Sequence, residues 1–108
     1  KLHKKIIKHE MRNYLIDLTM ARTGIESKVG FSPAALILKY ISTEETQTRW
    51  ELNVTSLGAG GLEIVEKSQG PKQEIAKSFF YSKAYTIAGG SSEVQLNIIS
   101  KHILGLPS

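Results

Sequence analysis

Near the end of the chain two adjacent glycines, Gly89 and Gly90, run directly into Ser91, Ser92 and Glu93. Without side chains the glycines let the backbone take dihedrals closed to other residues, and let a ligand approach the main chain. Ser91 is of a type that caps helices, its hydroxyl able to accept from an amide of the first turn. Glu93 falls where the helix dipole favours a negative side chain. The first amides of a helix have no intrahelical acceptor, so such a start can receive a phosphate or another anion. Val94, Ile98 and His102 then share one stripe, with Ile99 and Ile103 beside it, and Gly105 and Pro107 end the helix.

A second glycine-rich segment, Leu57-Gly-Ala-Gly-Gly-Leu62, has three glycines in four positions. That exceeds the single left-handed residue a helix end requires, so close backbone approach is expected there. The elements that must hold these segments read as helices almost throughout. From about Leu2 to Arg22, Ile7, Met11, Tyr14, Leu18 and Ala21 recur every three or four residues, with Leu15 widening the stripe. Lys8, Arg12 and Asp17 face away, which predicts one buried apolar face. Gly24 and Gly30 bracket a short connection. Ser32 and Pro33 then read as a capping serine and a first-turn proline, opening a helix to about Leu57. Its stripe of Ala34, Leu38, Ile41, Thr48, Leu52 and Thr55 is less apolar, and Glu44, Glu45, Gln47 and Arg49 read as its wet side. After a loop through Ser68, Gln69 and Gly70, Pro71 opens a third helix carrying Ile75, Phe79, Phe80 and Ala84. The expected fold is all-α, three longer helices and a short one packed as an antiparallel bundle in one domain, residues 1–108.

Composition narrows the function. The 108 residues suit one small domain and leave no room for separate cofactor and substrate domains. Apolar residues make up 41% and charged residues 22%, as in soluble globular proteins, and no apolar run is long enough to span a bilayer, so no membrane partner is expected. There is no cysteine, which excludes disulfides, thiolate metal sites and cysteine nucleophiles and fits a reducing cytoplasm. The net charge of +4 is partly made by Lys1, Lys4, Lys5 and Lys8, read as a solvated helix face; no nucleic-acid-binding motif accompanies them. His3, His9 and His102 lack one-face ligand spacing, so no metal site is expected. Glu10, Glu26, Glu44 and Glu45 read as surface carboxylates. Trp50 reads as a core or subunit contact, and Tyr81 and Tyr85 as packing or as the lining of an acyl or flavin pocket.

The tail from Thr86 to Pro107 resembles the C-terminal signature of the flavin-dependent acyl-CoA dehydrogenases, commonly Gly-Gly-Thr-Ser-Glu-Ile-Gln-Arg-Asn-Ile-Ile followed by a helix ending Leu-Gly-Leu-Pro. The likeness extends over the whole chain. His9-Glu10 falls near the opening of one family helix, a second helix opens at Pro33, and the glycine-rich break follows. The resemblance implies the last three helices of the family's C-terminal four-helix bundle. The bundle's first helix, an N-terminal helical domain and a β-barrel domain would then lie before Lys1, making this chain an excised fragment, inactive alone.

The family removes the α-proton of an acyl-CoA thioester with a glutamate while the β-hydride passes to FAD, giving the trans-2-enoyl-CoA. By the resemblance, Thr55, Ser56, Leu57, Gly58 and Ala59 reach the adenosine diphosphate end of the flavin held mainly by a dimer mate. Ser91, Ser92 and Glu93 approach the diphosphate and ribose within the protomer. Gly89 and Gly90 face the substrate. Many members place the catalytic glutamate where this chain has Gly89, and another branch takes it from the bundle's first helix, so no catalytic base is expected here. The Gly89 amide can still donate to the thioester carbonyl. Thr55 stands where many members have glutamine, and Leu96 where arginine is common. Two alternatives accompany this reading: a non-catalytic partner subunit of a heteromeric dehydrogenase, and a stand-alone helical interaction module. A dimer or tetramer is expected for the protein, and association of the isolated chain through an uncovered apolar stripe.

Overall fold

The computed structural model describes residues 1–62 and 70–107. The connection expected at Ser68 and Gln69 lies outside the described residues. Four α-helices follow one another, α1 (Leu2–Glu26), α2 (Ala34–Leu57), α3 (Pro71–Tyr85) and α4 (Ser92–His102), with a 3-10 turn at Gly58–Leu62 closing α2. The protein is all-α, as the periodicity predicts. No helix among the described residues is long and apolar enough to cross a membrane.

Helix α2 is the hub. Among the described residues α1 packs on α2 alone, and α3 and α4 each pack on α2 as well. Residues late in α1 pair with residues before α2, and early ones with its middle: Ser32 donates to Glu26, and His9 meets Glu45. The two helices are therefore antiparallel. Helix α3 runs antiparallel to α2 by the same logic, since Lys83 bonds Glu51 and Gln47 while the Lys72 ammonium lies 4.0 Å from a Cβ placed on Gly60. Small residues set that approach: Ala76 and Ser82 of α3 are completely buried.

Four local expectations need correction. The first helix does not stop at Arg22 but runs through Gly24 to Glu26. A single helical glycine costs only about 1 kcal/mol relative to alanine. Arg22 spans it to Glu26 at 2.6 Å, and Thr23 and Ser27 bond back to carbonyls in the same turns. Ser32 does not cap α2, and Pro33 occupies the N-cap position instead of the first helical one. The Ser32 hydroxyl is turned away from the α2 amides towards the Glu26 carboxylate, joining the two helices across their turn.

The third correction concerns the apolar stripe of α1. Met11 is 63% exposed, Tyr14 64% and Leu15 58%, and Ile7 and Leu18 also stand exposed. The side turned to α2 carries buried His9 and half-buried Asn13, Ile16 and Glu26. The helix is amphipathic as read, but most of its apolar face is left exposed and not packed on α2. The fourth concerns the wet side of α2, which the four residues read as solvated do not form together. Glu45 is 7% exposed, and Glu44 and Gln47 are half-buried and bonded to the tail; of the four residues read as solvated, only Arg49 is exposed. A helix touched by three others has little perimeter left for water.

Candidate functional site

The tail segment is built as the sequence implies. Helix α3 ends at Tyr85, and Gly89 and Gly90 take φ of +69° and +107°, values that L side chains rarely adopt. Ser91 is the N-cap of α4, and its hydroxyl oxygen accepts from the Val94 amide at 3.3 Å. That bond uses a lone pair and leaves the hydroxyl proton free to be donated. Ser92 differs, since its hydroxyl donates to Glu44 Oε1 at 2.5 Å and its proton is committed to α2. The backbone amides of Gly89, Ser91, Ser92 and Glu93 have no acceptor among the described residues, whereas the Gly90 amide donates to the Ile87 carbonyl at 3.3 Å. The turn thus offers several amides and one serine hydroxyl, a donor set suited to an anion, with the exposed Glu93 carboxylate as an acceptor beside it.

Three contacts carried by α2 fix this turn. Lys39 Nζ donates to the Gly90 carbonyl at 2.6 Å, Glu44 holds Ser92, and Gln47 Nε2 donates to Thr86 Oγ1 at 2.6 Å. From the α4 side, Gln95 Nε2 donates to the Gly89 carbonyl at 3.2 Å, and a Cβ on Gly90 would come within 2.8 Å of the same nitrogen. None of Lys39, Gln47 and Thr86 is singled out by the sequence. The available signal was that α2 carries polar residues on every side, a pattern that fits a helix with several neighbours better than one with a dry and a wet face.

The glycine-rich break lies elsewhere. Thr55 and Ser56 bond back to the carbonyls of Glu51 and Asn53, Gly58 takes φ +62°, and Thr55, Ser56, Gly58 and Ala59 are exposed. Close approach is real at Gly61, where a Cβ would lie 2.7 Å from the Val54 carbonyl oxygen. Between Glu44, which grips the tail, and Gly58, α2 advances about 20 Å at 1.5 Å per residue. The two predicted binding segments are therefore held at separate places along one helix. A groove of about 350 Å³ is lined by Lys5, Lys8 and Arg12 of α1 and by Glu51 and Thr55 of α2, so lysines read as a plain solvated face stand across from the last turns of α2 before the break.

Between α1 and α2 a second groove, of about 490 Å³, has Leu15, Tyr40 and Ile41 on its apolar side and Arg12, Glu44 and Glu45 on its charged side. Glu45 of this lining also meets a buried imidazole: His9 Nδ1 lies 2.6 Å from Glu45 Oε1, and Asn13 Nδ2 lies 2.9 Å from His9 Nε2. This geometry has Nδ1–H donating to the carboxylate and Nε2 accepting from the amide. Arg12 stands 3.8 Å from the other Glu45 oxygen. Trp50, Tyr81 and Tyr85 line a third cleft with Lys77 and Ser78, the two tyrosines edge to face at 5.3 Å.

The sequence profile described as acyl-CoA dehydrogenase, C-terminal domain, matches residues 3–104. The chain belongs to the acyl-CoA dehydrogenase family. The match takes in both glycine-rich segments and α4. An acyl-CoA dehydrogenase, IpdE1, of Mycolicibacterium smegmatis is 37% identical over 96 residues, covering 83% of this chain and 24% of that protein. The protein of the same name from Mycobacterium tuberculosis is 37% identical over 57 residues, covering 53% of this chain and 14% of its own length. The chain thus spans about a quarter or less of the curated relatives it matches. No solved structure matches it at a significant level.

Proposed function

We propose that this chain is a part of the C-terminal helical domain of an FAD-dependent acyl-CoA dehydrogenase, without the first helix of its bundle, and supplies flavin-binding and subunit-contact surfaces to an oligomer. The observation that carries the reading is the turn into α4, with its partnerless amides, the spare proton of Ser91 and the glycine pair in left-handed conformations. The residues fit a flavin diphosphate: Ser91 and the Ser92 and Glu93 amides donate to phosphate oxygens, and the Glu93 carboxylate accepts from ribose hydroxyls. When bound, FAD would supply the hydride acceptor for oxidation of the acyl chain. The Gly89 amide donates to the thioester carbonyl and stabilises negative charge there as the α-proton leaves. Glycine has no side chain to take that proton, and the reading takes the base from the first helix of the bundle, as the resemblance implies.

The separation of the two binding segments along α2 supports a shared arrangement. Ser91, Ser92 and Glu93 serve the flavin of their own protomer. Thr55 to Ala59, beside the Lys5–Lys8–Arg12 groove, serve the adenosine diphosphate end of a partner's flavin. A heteromeric assembly in which a partner chain carries the working site is the second reading, favoured by Thr55 where many members have glutamine and by Leu96 where arginine is common.

The test is flavin binding by the full-length protein. Bound FAD absorbance is expected on purification or after titration, and Ser91→Ala should weaken FAD binding about tenfold, the loss expected for one hydrogen bond to a charged group. A wild-type protein that stays colourless at saturating FAD sinks the reading.

A further inference from the structure

We propose that Lys39 and Glu44 of α2 are positioning residues that aim the flavin-binding turn, an inference that rests on the function just proposed. The peptide group is planar and trans, so its carbonyl and its amide point in opposite directions. Lys39 holds the Gly90 carbonyl towards α2, and the amide across that same peptide bond, that of Ser91, is thereby directed away from α2. Gly90 sits at φ +107°, where glycine moves freely and nothing in its own covalent structure selects one peptide orientation. The ammonium does the selecting, through a bond of 2.6 Å to a lysine 51 residues away in sequence. Charge-assisted bonds of this kind are about twice as strong as neutral ones.

Glu44 acts one residue further on. By accepting the Ser92 hydroxyl it consumes that proton, fixes the first turn of α4 on α2, and leaves Ser91 as the serine whose proton remains for a ligand. Lys39 and Glu44 carry opposite charges, so together they contribute orientation more than net attraction for a phosphate. Neither is required to touch the flavin. Their effect passes through the Gly90–Ser91 peptide and the Ser92 hydroxyl.

The full-length protein, stripped of flavin and titrated with FAD, tests this, read by dissociation constant and by phosphorus NMR of the bound diphosphate. Lys39→Met is expected to weaken FAD binding about tenfold, the scale of one bond to a charged group, and to displace the phosphorus resonances. Lys39→Arg, which keeps a cationic donor, should recover most of the affinity. Glu44→Gln, which keeps an acceptor for Ser92, should have the smaller effect. A lysine with only a structural role would lower the melting temperature of the flavin-free protein and leave the resonances in place. Wild-type affinity and unshifted resonances in Lys39→Met overturn the positioning role while the proposed function stands. Should that variant not fold, Lys39→Gln is read by the same two measurements. Wild-type protein that takes up no flavin overturns both proposals together.

Discussion

The two faces of α1 reverse the usual assignment of polar and apolar sides. Towards α2 it presents His9, Asn13 and Glu26, with His9 and its partner Glu45 among the most buried side chains of the described residues. Away from α2 it presents Met11, Tyr14 and Leu18, each at least half exposed. On a helix docked to a single neighbour, the apolar stripe would ordinarily form the seam. Here the seam is held by directed bonds, and the stripe is left for another surface to cover. The difference teaches that α1 divides its perimeter between a specific polar contact within this chain and an apolar stripe left exposed. Contiguous exposed apolar patches of this kind mark association surfaces.

Breaking the inner face should have the largest effect. Glu45→Ala leaves the Nδ1–H of buried His9 without its acceptor, and an unsatisfied buried donor costs about 1–3 kcal/mol. Urea denaturation followed by circular dichroism should report that loss, and a change below about 0.5 kcal/mol, the scale of ordinary surface substitutions, would mean that the seam does not depend on the pair. The outer face should respond the other way. Met11→Glu is expected to alter the stability of the monomeric chain by no more than about 0.5 kcal/mol, while removing its concentration-dependent association in light scattering. A stability loss as large as that of Glu45→Ala would show that the stripe is already core within one chain.

The smallest effect concerns the end of the seam. Hydrogen bonds from Ser32 and then Arg22, with the Arg22 charge, lower the Glu26 pKa below 4.5 against the opposing effect of desolvation. A carboxylate with a lowered folded pKa contributes stability above its unfolded pKa and loses it as pH falls through the folded value. Stability should therefore decline as pH drops below about 4.5, and Glu26→Gln should flatten that part of the profile. An unchanged acid limb in the variant would remove Glu26 from the account.

Much of the fold was legible because helix starts and stops are local. Pro71 opens α3, Ser91 caps α4, and Gly58 takes the left-handed conformation where α2 ends. The same locality made the capped glycine turn before α4 readable. The errors arose where a side chain had a remote partner. Ser32 has the right type and position for a cap, yet a carboxylate on α1 claims its hydroxyl. Glu45 has the composition of a surface residue, and only the approach of His9 from 36 positions away makes its burial tolerable.

The sequence by itself determined the four helices, the two glycine-rich segments, the family signature and the absence of a side-chain base at Gly89. Each depends on residue type and spacing over a few turns, where backbone sterics and periodicity decide the outcome. Only the tertiary structure decided which face of α1 meets α2, which serine keeps its proton, and which lysine turns the Gly90 carbonyl. Those choices are made by bonds between residues dozens of positions apart. Periodicity can mark a helix as two-faced, but it carries no information about which neighbour each face will find.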